Sequence, residues 1–305
     1  MKNEEIYQSV TDTVIKLLET HLEAWNRPWV AFGQDNDFAR NAQSNTHYRG
    51  INQFLLGFTM LEMQYPKNTW LTFNQVKDLG GNVTKGEKSS PIVFYKTGYV
   101  GKDKTFLPAD QVGSLSKKEQ NEQGIKPVPI LKLYHVFNVA QTEGLKPSFY
   151  EVKPQEPLQD FEKDDRAEAL IRATDAAIEI TQGNRAYYDP VNDKIKLPLR
   201  EQFKGVAETF YATALHELGH WTGHASRLCR DMGGAFGDAP YGKEELVAEL
   251  TSAFCCAALG FSKSISQNAS YIKSWLGILK EDNKAVVKAS FQAQKAADYI
   301  LAFRS

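Results

Sequence analysis

Apolar residues recur at helical spacing at the beginning of the chain. In residues 4–23 they stand three or four positions apart between charged and polar residues, which predicts an amphipathic helix. A second helix is predicted over residues 51–65, which are rich in Leu, Phe and Met. A short third helix is predicted over residues 75–79, because two glycines follow them.

Strand-like segments follow these helices. Residues 91–96 and residues 130–139 are rich in β-branched and aromatic side chains, which predicts two strands that pair in a small sheet. The intervening residues 98–129 are polar and weakly patterned, so we expect a long loop or arm there. The first half of the chain therefore predicts a small α+β domain.

A proline-rich stretch over residues 146–159 predicts an extended connector that divides the chain. Beyond it the pattern is mainly helical, with a hairpin predicted at residues 186–198. The other predicted segments of this half are helices at residues 167–181, 206–221, 243–259, 270–280 and 283–303 and a glycine-rich loop at residues 233–242. We expect an α+β protein of two domains, residues 1–150 and 161–305, with a linker at residues 151–160.

The composition is that of an ordinary globular protein. The 305 residues suit two domains, and the formal net charge of −1 excludes a strongly basic or acidic chain. The chain has no run of about 18 apolar residues and its first residues lack the apolar core of a signal peptide, so we expect no membrane contact and a cytoplasmic location. Its three cysteines, Cys229, Cys255 and Cys256, suit a reducing compartment, in which we expect buried small apolar side chains rather than disulfides.

The strongest chemical signal is the pair His216 and His220 within the predicted helix over residues 206–221. Residues four apart lie on the same face of a helix, so both imidazoles can bind one metal ion. Glu217 follows the first histidine, where its carboxylate can take a proton from a water molecule without binding the metal itself. This His-Glu-x-x-His arrangement predicts a metallopeptidase site with Glu217 as general base.

A catalytic zinc site needs a third protein ligand. In the next predicted helix Glu245 and Glu249 share one face, whereas Glu244 points about 100° away. We expect Glu245 to bind the metal and Glu249 to orient a histidine through its free ring N–H, although the reverse assignment stays open. His224 is an alternative ligand, the other interpretations being a substrate contact or a structural hydrogen bond. Zn2+ is the first expectation for these donors, and Mn2+ or another divalent metal suits them as well.

Two further features suit peptide hydrolysis. The predicted hairpin ahead of the metal helix can offer an edge strand to an extended peptide. Tyr241 is a candidate donor of a hydrogen bond to the transition state, the alternative being a packed aromatic residue near a turn.

Basic and aromatic residues interleave in the first half of the chain. Residues 40–104 contain nine Lys and Arg against four Asp and Glu. Single-stranded nucleic acids use both residue types, because bases stack on aromatic rings while cationic groups contact phosphates. The alternative is that the rings fill the core. The candidate DNA-binding residues are Trp25, Arg27, Trp29, Tyr48, Arg49, Trp70, Phe73, Lys85, Lys88, Tyr95 and Lys96.

Longer motifs resemble those of the ArdC antirestriction proteins. In the second half the resemblance rests on residues 216–224, 226–228 and 236–238, on Tyr241 and on residues 244–249. In the first half it rests on Arg27-Pro28-Trp29, Tyr48-Arg49-Gly50-Ile51-Asn52, Trp70-Leu71-Thr72-Phe73, Lys85-Gly86-Glu87-Lys88 and Val136-Phe137-Asn138. The resemblance covers nearly the whole chain and is weakest across residues 98–129.

The resemblance implies a domain that binds single-stranded DNA, followed by a zincin-like metallopeptidase domain. It implies a protein of conjugative plasmids or related mobile elements that protects incoming DNA from host restriction, with a host restriction factor as a candidate protein substrate. Two alternatives stay open. One is a protein that shields single-stranded DNA without catalysis and whose metal site is structural. The other is a primase accessory, because similar N-terminal domains accompany plasmid primases.

Overall fold

Both halves of the computed structural model contain helices and strands, and the structure describes residues 3–20, 38–152, 164–183, 185–203, 207–232, 239–261 and 269–304. The helices are α1 (Asn3–Thr20), α2 (Ile51–Met63), α3 (Phe73–Asp78), α4 (Ala109–Gly113), α5 (Lys117–Glu122), α6 (Asp165–Ala173), α7 (Ala207–Trp221), α8 (Ala239–Leu259), α9 (Ala269–Glu281) and α10 (Ala285–Leu301). The strands are β1 (Arg40–Asn41), β2 (Thr69–Leu71), β3 (Asn82–Val83), β4 (Ser90–Val100), β5 (Phe106–Leu107), β6 (Lys126–Asn138), β7 (Thr142–Glu143), β8 (Ala177–Thr181), β9 (Tyr187–Asp189) and β10 (Lys194–Pro198). The α+β class expected from the sequence is confirmed. None of the described helices is long and apolar enough to span a bilayer.

A long antiparallel ribbon is the framework of the first half. β4 and β6 pair from Ser90 opposite Val136 to Val100 opposite Lys126. β2 and β1 extend this sheet beyond β6, and β5 extends it beyond β4. The predicted pairing of the two strands is confirmed, and both strands are longer than their apolar patterns indicate.

The prediction of a long loop over residues 98–129 is wrong, because most of this segment forms strands and helices. β4 continues to Val100, and the chain returns through β5, α4 and α5 before β6 begins at Lys126. α5 begins with a capping box, in which the Ser116 hydroxyl accepts from the backbone N–H of Glu119 and the Glu119 carboxylate accepts from the backbone N–H of Ser116. This reciprocal cap satisfies two backbone donors at the helix start, which stabilises a short helix in a polar segment.

The second half combines a small mixed sheet with helices, and α7 packs on β9 and β10 of this sheet. β10 is the central strand, parallel to β8 and antiparallel to β9, so the predicted hairpin is confirmed. The helix predicted over residues 167–181 is wrong in its second part, because α6 ends at Ala173 and β8 follows. The helix stops where Asp175 takes a left-handed backbone conformation, with φ 55°. The β-branched residues beyond it then favour a strand.

Close packing of α7 on α8 brings the two chemical motifs together. A Cβ atom on Gly219 would lie 3.1 Å from the Cα of Ala248, so a glycine allows the two helices to approach. α8 thereby places its three glutamates beside the two histidines of α7.

One hydrophobic core spans both halves of the chain. The buried residues that form it include Ile6, Val10, Val14, Val93, Leu131, Trp275, Leu279 and Val286. Cys255 and Cys256 are also buried in this core, whereas Cys229 is exposed, so the predicted burial is wrong for Cys229. Polar contacts also cross between the halves: the Thr11 hydroxyl donates to the carbonyl of Asn283 at 2.8 Å, and Arg49 forms an ion pair with Asp298. The described parts of the two halves therefore pack as one body. Most of the linker predicted at residues 151–160 lies outside the described residues, so that boundary stays a prediction.

Candidate metal centre

Three donor side chains converge where α7 meets α8. The Nε2 atoms of His216 and His220 lie 3.2 Å apart, and each lies 3.5 Å from a carboxylate oxygen of Glu245. Ligands bonded to one ion at about 2 Å stand about 3–3.5 Å from each other, so these separations suit a shared metal. The donors fit a divalent ion, and Glu245 takes the position expected of the third ligand.

The other ring nitrogens of both histidines face carboxylates. Glu249 Oε1 lies 3.4 Å from His216 Nδ1, and Glu244 Oε1 lies 3.3 Å from His220 Nδ1. Such contacts hold an imidazole so that its Nε2 atom faces the metal. Glu249 lies where the sequence predicts an orienting carboxylate. Glu244 is the residue that the sequence reasoning missed.

A buried arginine fixes Glu244. Arg230 donates through Nε to Glu244 Oε2 at 3.0 Å and through Nη2 to Oε1 at 2.6 Å. The same guanidinium donates to the carbonyl of Gly219 at 2.7 Å and to the hydroxyl of Thr222 at 2.8 Å. The Arg230 side chain is 5% exposed and the Glu244 side chain 8%, so this bidentate ion pair is shielded from water. It ties the segment after α7 to the orientation of His220.

Glu217 lies beside the donor cluster, and the residue is only 6% exposed. It lines a cavity of about 290 Å³ together with His216, His220 and Tyr187. Burial raises the pKa of Glu217, although the two histidines oppose this shift. A carboxylate with a raised pKa accepts a proton more readily, as a general base requires.

The carboxylates around the histidines control their charge. Burial opposes protonation of His220, but hydrogen bonds with Glu244 and Glu245 outweigh it and raise the pKa of His220 to about 9. Burial likewise opposes protonation of His216, and Glu249 and Glu245 raise its pKa well above the ordinary value. The histidines in turn lower the pKa of Glu245 against the effect of its burial. Binding of a cation by the two histidines would therefore displace protons from their rings.

Three further features of the sequence suggest a role in peptide hydrolysis: His224, Tyr241 and an edge strand. Among the described residues His224 is not in the donor group, and its Nδ1 atom lies 2.8 Å from the hydroxyl of Ser226. The backbone of Tyr241 lies in α8, but its side chain lies outside the described residues, so its role stays a prediction. β9 is an edge strand, and its Tyr187 and Tyr188 line the same cavity as Glu217.

Part of the predicted DNA-binding set belongs to the interior. Trp70 is wrong as a stacking residue, because it is fully buried and its Nε1 donates to Asn68 Oδ1 at 2.8 Å. Tyr48 is half-buried, with its hydroxyl 3.5 Å from Asn41. Three further members of the set, Trp25, Arg27 and Trp29, lie outside the described residues.

The exposed members of that set lie in different places. Arg49 pairs with Asp298, and the ring of Tyr95 packs against Phe291 with centroids 5.5 Å apart, so both contact the second half of the chain. The remaining four members are exposed. Phe73 lies at the start of α3, Lys85 and Lys88 lie before β4, and Lys96 lies on β4.

The fold and the metal centre define a zincin-like metallopeptidase domain that follows an N-terminal domain and shares a core with it. Residues 165–292 match the family model of the zincin-like metallopeptidases. Residues 4–137 match the model of the N-terminal domain of the anti-restriction factor ArdC. The order of the two domains agrees with the order of the motifs in the sequence.

Solved structures identify the family. The chain is similar to the antirestriction protein ArdC of plasmid R388 in its metal-free structure, with a TM-score of 0.77 and 35% identity over 98% of this chain and 97% of that one. The Mn(II)-bound structure of the same protein gives a TM-score of 0.74 and 34% identity over 98% of each chain. The chain belongs to the ArdC family of antirestriction proteins.

Further relatives differ widely in length. Protein y4eC of Sinorhizobium fredii, which is uncharacterized, is 33% identical over 303 residues, or 99% of this chain and 93% of that protein. DNA primase TraC of Escherichia coli is 35% identical over 298 residues, or 97% of this chain. The chain spans only 20% of that primase and 27% of a second TraC primase.

Proposed function

We propose that the protein is a peptidase that depends on a divalent metal and acts at single-stranded DNA to protect incoming DNA from restriction. The observation that carries the peptidase part is the convergence of His216, His220 and Glu245 beside the buried Glu217. Membership of the ArdC family supports the antirestriction role. The Mn(II)-bound state of the R388 protein supports a divalent ion, with Zn2+ as the first expectation from the donors.

Each part of the cleft has a task in peptide hydrolysis. A bound metal supplies Lewis acidity, which polarises a carbonyl group and makes water more acidic. Glu217 takes the proton from the attacking water and delivers it to the leaving amine. β9 offers its free edge to the main chain of an extended peptide. Glu244 and Glu249 hold the two imidazole rings in place.

Replacement of Glu217 by Gln tests the peptidase. We expect E217Q to bind metal and lose about 10²–10⁴-fold in cleavage rate, because a general base contributes that much. The matched control is E208Q, since Glu208 is a buried glutamate of the same helix that is not in the donor cluster. The substrates are an unfolded polypeptide and the proteins of a restriction-proficient recipient, with Zn2+ or Mn2+ and with or without single-stranded DNA. If the wild-type protein cleaves none of these, the peptidase proposal fails.

The same variant separates catalysis from shielding. DNA transfer into a restricting recipient is measured with the wild-type protein, with E217Q and with E208Q. We expect E217Q to lose protection while it still binds DNA. If E217Q protects as well as the wild-type protein, the shielding alternative replaces the proposed catalytic role.

The DNA-binding part of the proposal is supported by the match of residues 4–137 to the ArdC N-terminal domain and by the basic residues of the first half. The test is binding of a labelled single-stranded oligonucleotide with duplex competitor and a salt titration. The full chain is used, because residues 1–150 share their core with α9 and α10. We expect single strands to bind better than duplex, with an affinity that falls as salt rises.

A further inference from the structure

The register of the β4–β6 ribbon sorts its residues onto two faces. Residues directly opposite each other point to the same side of an antiparallel pair, and successive residues alternate. Val93 and Leu131 point into the core shared with the helices. The opposite side, here called the outer face, carries Phe94 opposite Lys132 and Lys96 opposite Ile130.

Three large aromatic rings are exposed on the outer face. Phe94 is 49% exposed and Tyr134 46%, and their rings meet edge to face with centroids 6.3 Å apart. Phe106 is 67% exposed and lies opposite Val100 on β5. Its ring reaches over Gly98, because a Cβ atom there would lie 3.4 Å from Phe106 Cε1. A group of exposed rings on one regular surface indicates a binding site rather than chance exposure.

The charges of the outer face have one sign. Lys96, Lys132 and Lys126 are exposed on it, between and beyond the rings. None of the residues at the register positions of this face carries a carboxylate. Lysine is depleted in the centres of protein–protein interfaces, so lysines interleaved with rings favour a polyanion over a protein partner.

We propose that the outer face of the β4–β6 ribbon is the surface on which single-stranded DNA lies, with bases stacked on Phe94, Tyr134 and Phe106. Exposed rings on a sheet are a general means of stacking unpaired bases, and the neighbouring ammonium groups contact the phosphates. The proposal rests on the proposed DNA binding of this half and names its location. Of the residues expected from the sequence it keeps Lys96 and replaces the buried Trp70.

Paired substitutions in the full chain test this location. F94A/Y134A removes two rings, and K96Q/K132Q removes two lysines of the outer face. The matched control for charge is K194Q/K196Q, which removes two lysines from β10 in the second half. All these positions except the half-buried Lys196 are exposed, and circular dichroism and thermal melting check that the fold is retained.

We expect F94A/Y134A to weaken binding of a dT oligonucleotide about tenfold or more, since each stacked base contributes a factor of about 5 to 150. K96Q/K132Q should weaken binding and flatten the dependence of log affinity on log salt by about 0.7 for each lysine, while K194Q/K196Q leaves that slope unchanged. If both outer-face variants keep the wild-type affinity and salt slope, the proposed location of the DNA is overturned, whereas DNA binding by the protein is not. Failure of the wild-type protein to bind single strands overturns both. A change of oligomeric state in sedimentation, with DNA affinity unchanged, assigns the face to a protein contact and also overturns the proposal.

Discussion

Replacement of Glu244 by Gln examines whether the Arg230–Glu244 pair sets the metal affinity. Glu244 accepts from two donors, His220 Nδ1 at 3.3 Å when that nitrogen carries the proton and Arg230 at 2.6 and 3.0 Å. A glutamine keeps the shape but loses the charge, and its amide N–H must face one of these donors. An amide N–H in place of Oε1 removes the acceptor of both His220 Nδ1 and Arg230 Nη2, and one in place of Oε2 removes the acceptor of Arg230 Nε.

The size of the effect follows from this geometry. Loss of a carboxylate that orients a metal-binding histidine weakens metal affinity by about 10–100-fold, or about 1.4–2.7 kcal/mol. The free energy of unfolding should also fall, by less than the about 3–5 kcal/mol expected for a buried charge left alone. The loss is smaller because Arg230 keeps its hydrogen bonds to Gly219 and Thr222.

The assay titrates metal-free protein with Zn2+ or Mn2+ by calorimetry and records thermal unfolding separately. The matched control is E168Q, because Glu168 forms a comparable pair with Arg200 and accepts from the Tyr211 hydroxyl at 2.8 Å, away from the histidines. We expect E168Q to lower stability and keep the metal affinity, and R230K to fall between the wild-type protein and E244Q. Unchanged metal affinity in E244Q, or an equal loss in E168Q, would refute the reasoning.

Two further predictions concern stability. Val10→Ala in α1 should lower the free energy of unfolding by about 0.5–2.5 kcal/mol, and urea unfolding of both halves should move together, because Val10 lies in the shared core; separate transitions for the two halves contradict this. Arg227 lowers the pKa of Asp193, so their pair adds stability above the ordinary carboxyl pKa of about 3.9, and that contribution is lost as the pH falls through the lowered value. D193N should therefore lose less stability than the wild-type protein between pH 6 and pH 3 in urea unfolding, and an equal loss in both proteins contradicts the assignment.

Local spacing was sufficient for the parts of the protein that one element determines. His216 and His220 face the same way because they lie four apart on one helix, and β4 and β6 are rich in residues that favour strands. The choice between Glu244, Glu245 and Glu249 is different. It depends on how α8 lies against α7 and on Arg230, which comes from another segment, so helical periodicity alone left Glu244 without a role.

Aromatic residues show the same limit in the first half. The sequence does not show which aromatic rings are buried and which are exposed. It therefore predicts Trp70 at the DNA-binding surface and misses Tyr134. Phe94 and Tyr134 come together only through the strand register, 40 positions apart in the chain. The helix predicted over the residues of β8 was wrong for a related reason, since short stretches of Ala and Ile suit both helix and strand.

The shared core also constrains how the proposed activities combine. α10 contacts both sides: the hydroxyl of Thr251 in α8 lies 3.5 Å from the carbonyl of Ala293, and the side chain of Gln294 accepts from the backbone N–H of Gly50 in the first half. Phe291 of the same helix packs on Tyr95, on the inner side of the ribbon. The metal centre and the outer face are therefore held in a fixed relation by packed helices. Under the proposed function, a peptidase held in this way cleaves proteins that lie beside the bound strand, because the catalytic cleft cannot swing away to distant ones.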